Sequence, residues 1–197
     1  YSSTLVKLVD MNRDGHLDLV FHIMAGFSKY PRRLYLYDIA KDTLYKSIPY
    51  GVKGGVSQIV DVDHDSIPEI LISNQATANM NDGDAIRYSD NYSWFMIFDN
   101  KLNFKIEPFK LGENNTHARL FYIKIDDRYR LLSVVDKRGL DQNTVADTII
   151  ISCHDETGNI EYQKAVDVIV RKYALFTDNE DQFLLNDNNQ IYYFDSL

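Results

Sequence analysis

A single cysteine, Cys153, leaves no partner for an internal disulfide, so the fold must hold without covalent staples. Its setting in Thr148-Ile149-Ile150-Ile151-Ser152-Cys153 reads as a small hydrophobe on a buried strand. Long apolar runs are also missing, and nothing approaches the roughly 20 residues of a membrane-spanning helix. Basic charge is scarce: 21 Lys and Arg face 29 Asp and Glu, for a net charge of −8, and no basic stripe exists to meet nucleic acid. Amphipathic helical periodicity is almost absent. Catalytic signatures are thin as well. His16, His22, His64, His117 and His154 are scattered, with no Ser-His-Asp, Cys-His or H-x-x-x-H spacing. Gly51-Val52-Lys53-Gly54-Gly55 lacks the spacing of a phosphate loop. The expectation is a non-enzyme.

What the chain does have is β-forming sequence and two acidic turns. Tyr (14) and Phe (10) are plentiful and favour strands. In Asp10-Met11-Asn12-Arg13-Asp14-Gly15-His16-Leu17-Asp18, oxygen side chains fall at positions one, three, five and nine, with glycine at six. Hard cations such as Ca²⁺ take six to eight oxygen ligands, and alternating acidic residues in a tight turn supply them. Gly15 suits the sharp bend at position six, where positive φ is needed. A second run, Asp61-Val62-Asp63-His64-Asp65-Ser66-Ile67-Pro68-Glu69, repeats the register 51 residues later. The expected ligands of the first loop are Asp10, Asn12, Asp14, Asp18 and the carbonyl of His16. Those of the second are Asp61, Asp63, Asp65, Glu69 and the carbonyl of Ile67. An EF-hand would need a bidentate Glu at position twelve, where this chain has Phe21 and Ile72, and flanking helices. The flanks here are short, β-branched and strand-like. Ser66 replaces the glycine, at a cost of about 1 kcal/mol if left-handed. The second loop carries four carboxylates against three, so charge and backbone strain point in opposite directions for relative affinity.

D-x-N-x-D-G-x-x-D at 10–18 and D-x-D-x-D-S-x-P-E at 61–69, each between strands, resemble the FG-GAP or VCBS repeat of integrin-α-type calcium-loop β-propellers. That resemblance implies an all-β, propeller-like arc of four-stranded antiparallel blades with two Ca²⁺ sites. Repeat spacing agrees with it. Apolar-acidic starts recur at Phe121–Asp126 and Tyr173–Asp178, and periods near 50 residues suit propeller blades. Blades are expected at about 4–50, 56–110, 119–165 and 173–197, some three and a half in one domain spanning 1–197. The second is expected to use strands 56–61, 69–73, 94–99 and 103–108. The rest of a longer propeller or a second copy would complete the arc. No metal is expected at 126–130 or 178–182, where the alternation of oxygens is lost.

The long segment between the second and third strands of blade two, Asn74–Ser93, exceeds the usual length of a connecting loop. Its Asp82, Asp84, Tyr88, Asp90 and Tyr92, with Trp94 just beyond, are the candidate contacts for a protein or glycan ligand. Sites of modest calcium affinity fill outside the cytosol, so a periplasmic or cell-surface location is expected. Three roles follow: a non-catalytic extracytoplasmic sensor or surface-binding module, a cell-adhesion propeller, or an accessory or catalytic part of a carbohydrate-active enzyme. Fold alone does not choose among them.

Overall fold

The computed structural model describes residues 2–26, 28–80, 86–125, 128–137, 146–170, 174–178, 181–185 and 191–193. Asp82 and Asp84 lie outside them. All regular structure among the described residues is β, in antiparallel sheets. Among these residues no helix is long and apolar enough to cross a membrane.

The first sheet is a four-stranded meander of β1 (Ser2–Val9), β2 (Asp18–Met24), β3 (Arg32–Asp38) and β4 (Thr43–Lys46). Strands β2 and β3 alternate buried and half-buried side chains along their whole length, as a sheet with one covered face requires. Their inner residues, Val20, Leu34 and Leu36, pack against β5 (Lys53–Val60), β6 (Glu69–Gln75) and β8 (Ile97–Phe98) through Val56, Ile70, Ile72 and Phe98. Strand β6 is buried on both sides. Ile70 and Ile72 face the first sheet, while Leu71 joins Phe95, Ile97, Leu120 and Leu131 in a second core on the other side. That explains the unbroken Ile-Leu-Ile run, which alternation alone would not demand.

Strands β10 (Thr116–Ile125), β11 (Arg128–Lys137), β12 (Ala146–His154) and β13 (Ile160–Val170) form a second four-stranded meander. Three more strands, β14 (Ala174–Asp178), β15 (Asp181–Leu185) and β16 (Ile191–Tyr193), pair among themselves. These three groups of strands lie within 2–46, 116–170 and 174–193.

The middle unit differs. Its third strand is split into β7 (Ser93–Phe95), which pairs with β9 (Phe109–Gly112), and β8, which pairs with β6. The fourth strand expected at 103–108 is reduced to a bridge between Phe98 and Phe104. At the far end of β6, β10 pairs through His117 with Gln75 and Ala118 with Asn74, so seven strands run on as one sheet and not as two separate blades. Asn74 gives the physical reason. Its side-chain amide takes both backbone groups of Trp94, accepting from the N–H at 2.8 Å and donating to the carbonyl at 2.7 Å. A side chain thus replaces the ladder between β6 and β7, and the strand parts there.

Candidate metal centre

Each acidic loop closes the turn between the first and second strands of its unit. The two agree atom by atom. Asp10 accepts from the N–H of Asp14 (3.1 Å) and of Gly15 (2.9 Å); Asp61 accepts from Asp65 (3.1 Å) and Ser66 (2.9 Å). The position-five carboxylate accepts from position seven, His16 onto Asp14 (3.0 Å) and Ile67 onto Asp65 (2.7 Å). The position-nine carboxylate reaches back to position two, accepting from Met11 and from Val62 at 2.9 Å. Left-handed backbone recurs at positions four and six, in Arg13 (φ 58°) and Gly15 (86°), then His64 (61°) and Ser66 (73°). An irregularity in pairing precedes both loops, between Thr4 and Lys7 and between Val56 and Gln58. Position two is a core anchor in both. Met11 packs into the core between the first sheet and the middle strands, and Val62 into the next core along.

Ser66 therefore adopts the left-handed conformation that its sequence position demands. Ser66→Gly should relieve roughly 1 kcal/mol of backbone strain, partly offset by glycine's greater freedom when unfolded. Gly15→Ala should cost about 1 kcal/mol for the same reason. Nothing lies within 4 Å of where that Cβ would sit, so the cost is purely conformational. Chemical denaturation of both variants checks the pair; opposite signs are expected.

The loops also hold side chains that sequence spacing did not show. Asn12 accepts from the Asp14 N–H with its oxygen and donates from its amide to Asp38 at the end of β3, which fixes the amide's orientation. Lys41 bridges Asp38 (2.8 Å) and Asp14 (2.9 Å) at the loop's edge, and its ammonium is the main cause that holds the Asp14 carboxyl down to about 2. In the second loop Lys105 lies across the carboxylates, 2.5 Å from Asp63, 3.1 Å from Glu69 and 3.9 Å from Asp65. Burial works against its charge, but hydrogen bonds to Asp63 and Glu69 win and hold its pKa above the usual lysine value. Asp18 and Glu69 both have pKa values raised, chiefly by burial.

Two observations bear on whether an ion fits. One carboxylate oxygen from each of Asp61, Asp63 and Asp65 lies within 4.8 Å of the others, a grouping that could hold a divalent ion. In the first loop, Asp18 Oδ1 is buried with no hydrogen-bond partner among the described residues. An ionised oxygen left so is costly unless a cation meets it. The donor set, all oxygen, suits a hard divalent cation and not a soft metal.

Of the candidate ligand contacts, Tyr88 and Asp90 are buried. Tyr88 packs edge-on against Trp94 and Phe104 and donates to Glu107 at 2.8 Å. Asp90 accepts from the Thr77 hydroxyl (2.8 Å) and the Asn79 N–H (2.9 Å), tying the long loop to itself. Tyr92 and Trp94 are half-buried, with the Lys110 ammonium 3.5 Å from the Tyr92 ring centre. The Trp94 indole N–H donates to the Ser89 carbonyl. Their contacts hold the loop together.

Sequence reading also missed a buried serine–histidine pair. Ser133 Oγ lies 2.8 Å from His154 Nε2, and His154 Nδ1 lies 3.0 Å from the Gly158 carbonyl. Both residues are buried, and the imidazole packs against Phe95 and Phe109. A nucleophile must meet its substrate; this pair meets the core and ties β11 to β12. The cross-strand pairing of Leu131 with His154 could not be inferred from spacing. A legible signal was passed over: Asp99-x-x-x-Asn103 and Asp155-x-x-x-Asn159 form matching turns, in which the Asp accepts from the N–H two and four residues on.

Against known proteins this chain finds no counterpart: no family model, no curated protein and no solved structure matches it.

Proposed function

We propose that this chain is a non-catalytic, calcium-stabilised recognition module of propeller type, the extracytoplasmic sensor or surface-binding part of a larger protein. The observation that carries the reading is the equivalence of the two loops. They share hydrogen bonds, left-handed positions, a preceding irregularity and a core-anchoring second residue, while their sequences differ at most other positions. Such equivalence is what a repeated ion-binding turn requires and what two unrelated hairpins would not share. Calcium would be held in the first loop by Asp10, Asn12, Asp14, Asp18 and the His16 carbonyl, and in the second by Asp61, Asp63, Asp65, Glu69 and the Ile67 carbonyl. When bound, it would neutralise crowded carboxylates and fix each turn between its strands.

The outer face of the first sheet supports a further blade or a second copy beside it. Leu8 pairs with Leu19, Tyr37 with Leu44, and Phe21 stacks on Tyr35 at 5.3 Å, all on the side away from the core. Leu8 and Leu44 are 59% and 45% exposed, a large apolar surface for a sheet facing water.

Chelation followed by Ca²⁺ titration, with the melting temperature followed alongside, tests the reading. Calcium at a hundredfold its dissociation constant should add about 2.7 kcal/mol per site, which is roughly 5–10 °C for a chain of this size. Asp14→Ala and Asp65→Ala should each remove the gain of one loop. A melting temperature indifferent to calcium in the unaltered chain would sink the structural-metal role, and with it the extracytoplasmic inference.

A further inference from the structure

We propose that Lys105 is the resident counter-cation of the second loop, so that the two loops take Ca²⁺ unequally: the first tightly, the second only as Lys105 is displaced. This rests on the reading of both loops as calcium sites and goes beyond it by ranking them.

The argument compares equivalent atoms. At position nine, one oxygen of each carboxylate is spoken for by the N–H of position two. The other oxygen differs. Glu69 Oε1 accepts from the Lys105 ammonium at 3.1 Å, whereas Asp18 Oδ1 is buried with no hydrogen-bond partner among the described residues. Lys105 also reaches positions three and five, through Asp63 and Asp65, so one ammonium touches three of the four carboxylates that would bind the ion. Lys41, the lysine of the first loop, does not do the same. It meets Asp14 and the buried Asp38 beside the loop, with no ion pair to Asp10 or Asp18 among the described residues.

With Asp38 counted, each loop has four carboxylates and one lysine, and it is the placement of the lysine that differs. An ammonium cannot coordinate, but it cancels the repulsion that a divalent ion would otherwise relieve. Calcium entering the second loop must break the Lys105 contacts and return that ammonium to water. Calcium entering the first meets a buried carboxylate oxygen with no hydrogen-bond partner among the described residues. Backbone strain acts in the same direction, because position six is Gly15 in the first loop and Ser66, at φ 73°, in the second.

Calorimetric Ca²⁺ titration of the full 197-residue chain after chelation tests this, using matched variants at position five and at Lys105. Two classes of site are expected, with the tight class removed by Asp14→Asn and kept by Asp65→Asn. Lys105→Met, which keeps the aliphatic stem and drops the charge, should tighten the weak class at least tenfold and leave the tight class within twofold. Lys105→Gln gives the same readout should the methionine variant fail to fold. Loss of the tight class in Asp65→Asn, or a weak class unchanged or weakened in both lysine variants, overturns the proposal while leaving the calcium reading standing. An unaltered chain that binds no Ca²⁺ at millimolar concentration overturns both.

Discussion

Asp90→Ala is expected to lower the unfolding free energy by about 3–5 kcal/mol, the range for removing one partner from a buried charge pair. The cause lies beneath the long loop. Arg32 opens β3 on its inner face and is 1% exposed, with its guanidinium donating to the Gly51 carbonyl. Burial pulls its pKa below the usual arginine value, and the opposing influence comes first from the Asp90 carboxylate. Asp90 itself is fully buried and holds Thr77 and Asn79. Alanine there would strip the guanidinium of its compensating charge and release the loop together. Asp90→Asn, which keeps an acceptor but not the charge, should fall between. Urea denaturation measures both; a loss below about 1 kcal/mol for the alanine variant would show that the pair does not anchor the loop.

The second large effect is acid sensitivity centred on His22. Its ring is fully buried, stacks on Tyr50 at 5.7 Å, and has no hydrogen-bond partner for either nitrogen among the described residues. Burial, helped by the charge of Arg32, lowers its pKa from 6.5 to about 4. A histidine depressed on folding is neutral in the folded protein and protonates more readily when unfolded. Its contribution is therefore intact above pH 6.5 and is lost as pH falls toward 4. At about 1.4 kcal/mol per pH unit the loss is roughly 3 kcal/mol. His22→Phe retains the stack without a titrating nitrogen. Thermal melts from pH 7.5 to 4 should fall less steeply for the variant; parallel curves would remove His22 as the cause.

How much could be read in advance depends on what kind of contact decides each element. The acidic loops were legible because their geometry is local: Asp10 and Asp61 bond to N–H groups four and five residues on, so spacing carries the information. The strands of the first sheet were legible because one covered face imposes alternation. The split third strand of the middle unit was not, because an asparagine amide twenty residues away displaces the ladder, and Asn74 looks like any polar residue at the end of a strand. Lys41 and Lys105 escaped for a related reason. They enter from outside the loops, 27 and 36 residues from Asp14 and Glu69, and no local pattern marks a lysine as the counter-charge of a distant turn. The same holds for Arg32 and Asp90: Asp90 reads in sequence as a candidate ligand contact on a polar loop, and nothing local marks Arg32 as its counter-charge.

The left-handed residue at position four has a further consequence. In the first loop it is Arg13, whose Nε donates at 2.7 Å to the carbonyl of Ser66 inside the second loop. In the second it is His64, whose ring approaches Tyr122 and Tyr129 of the next unit. The first two turns are thus joined directly, and the second meets strands β10 and β11. Turns so joined share a seam: Arg13 stands in the first turn and closes on a carbonyl of the second, so a change at that one residue touches both.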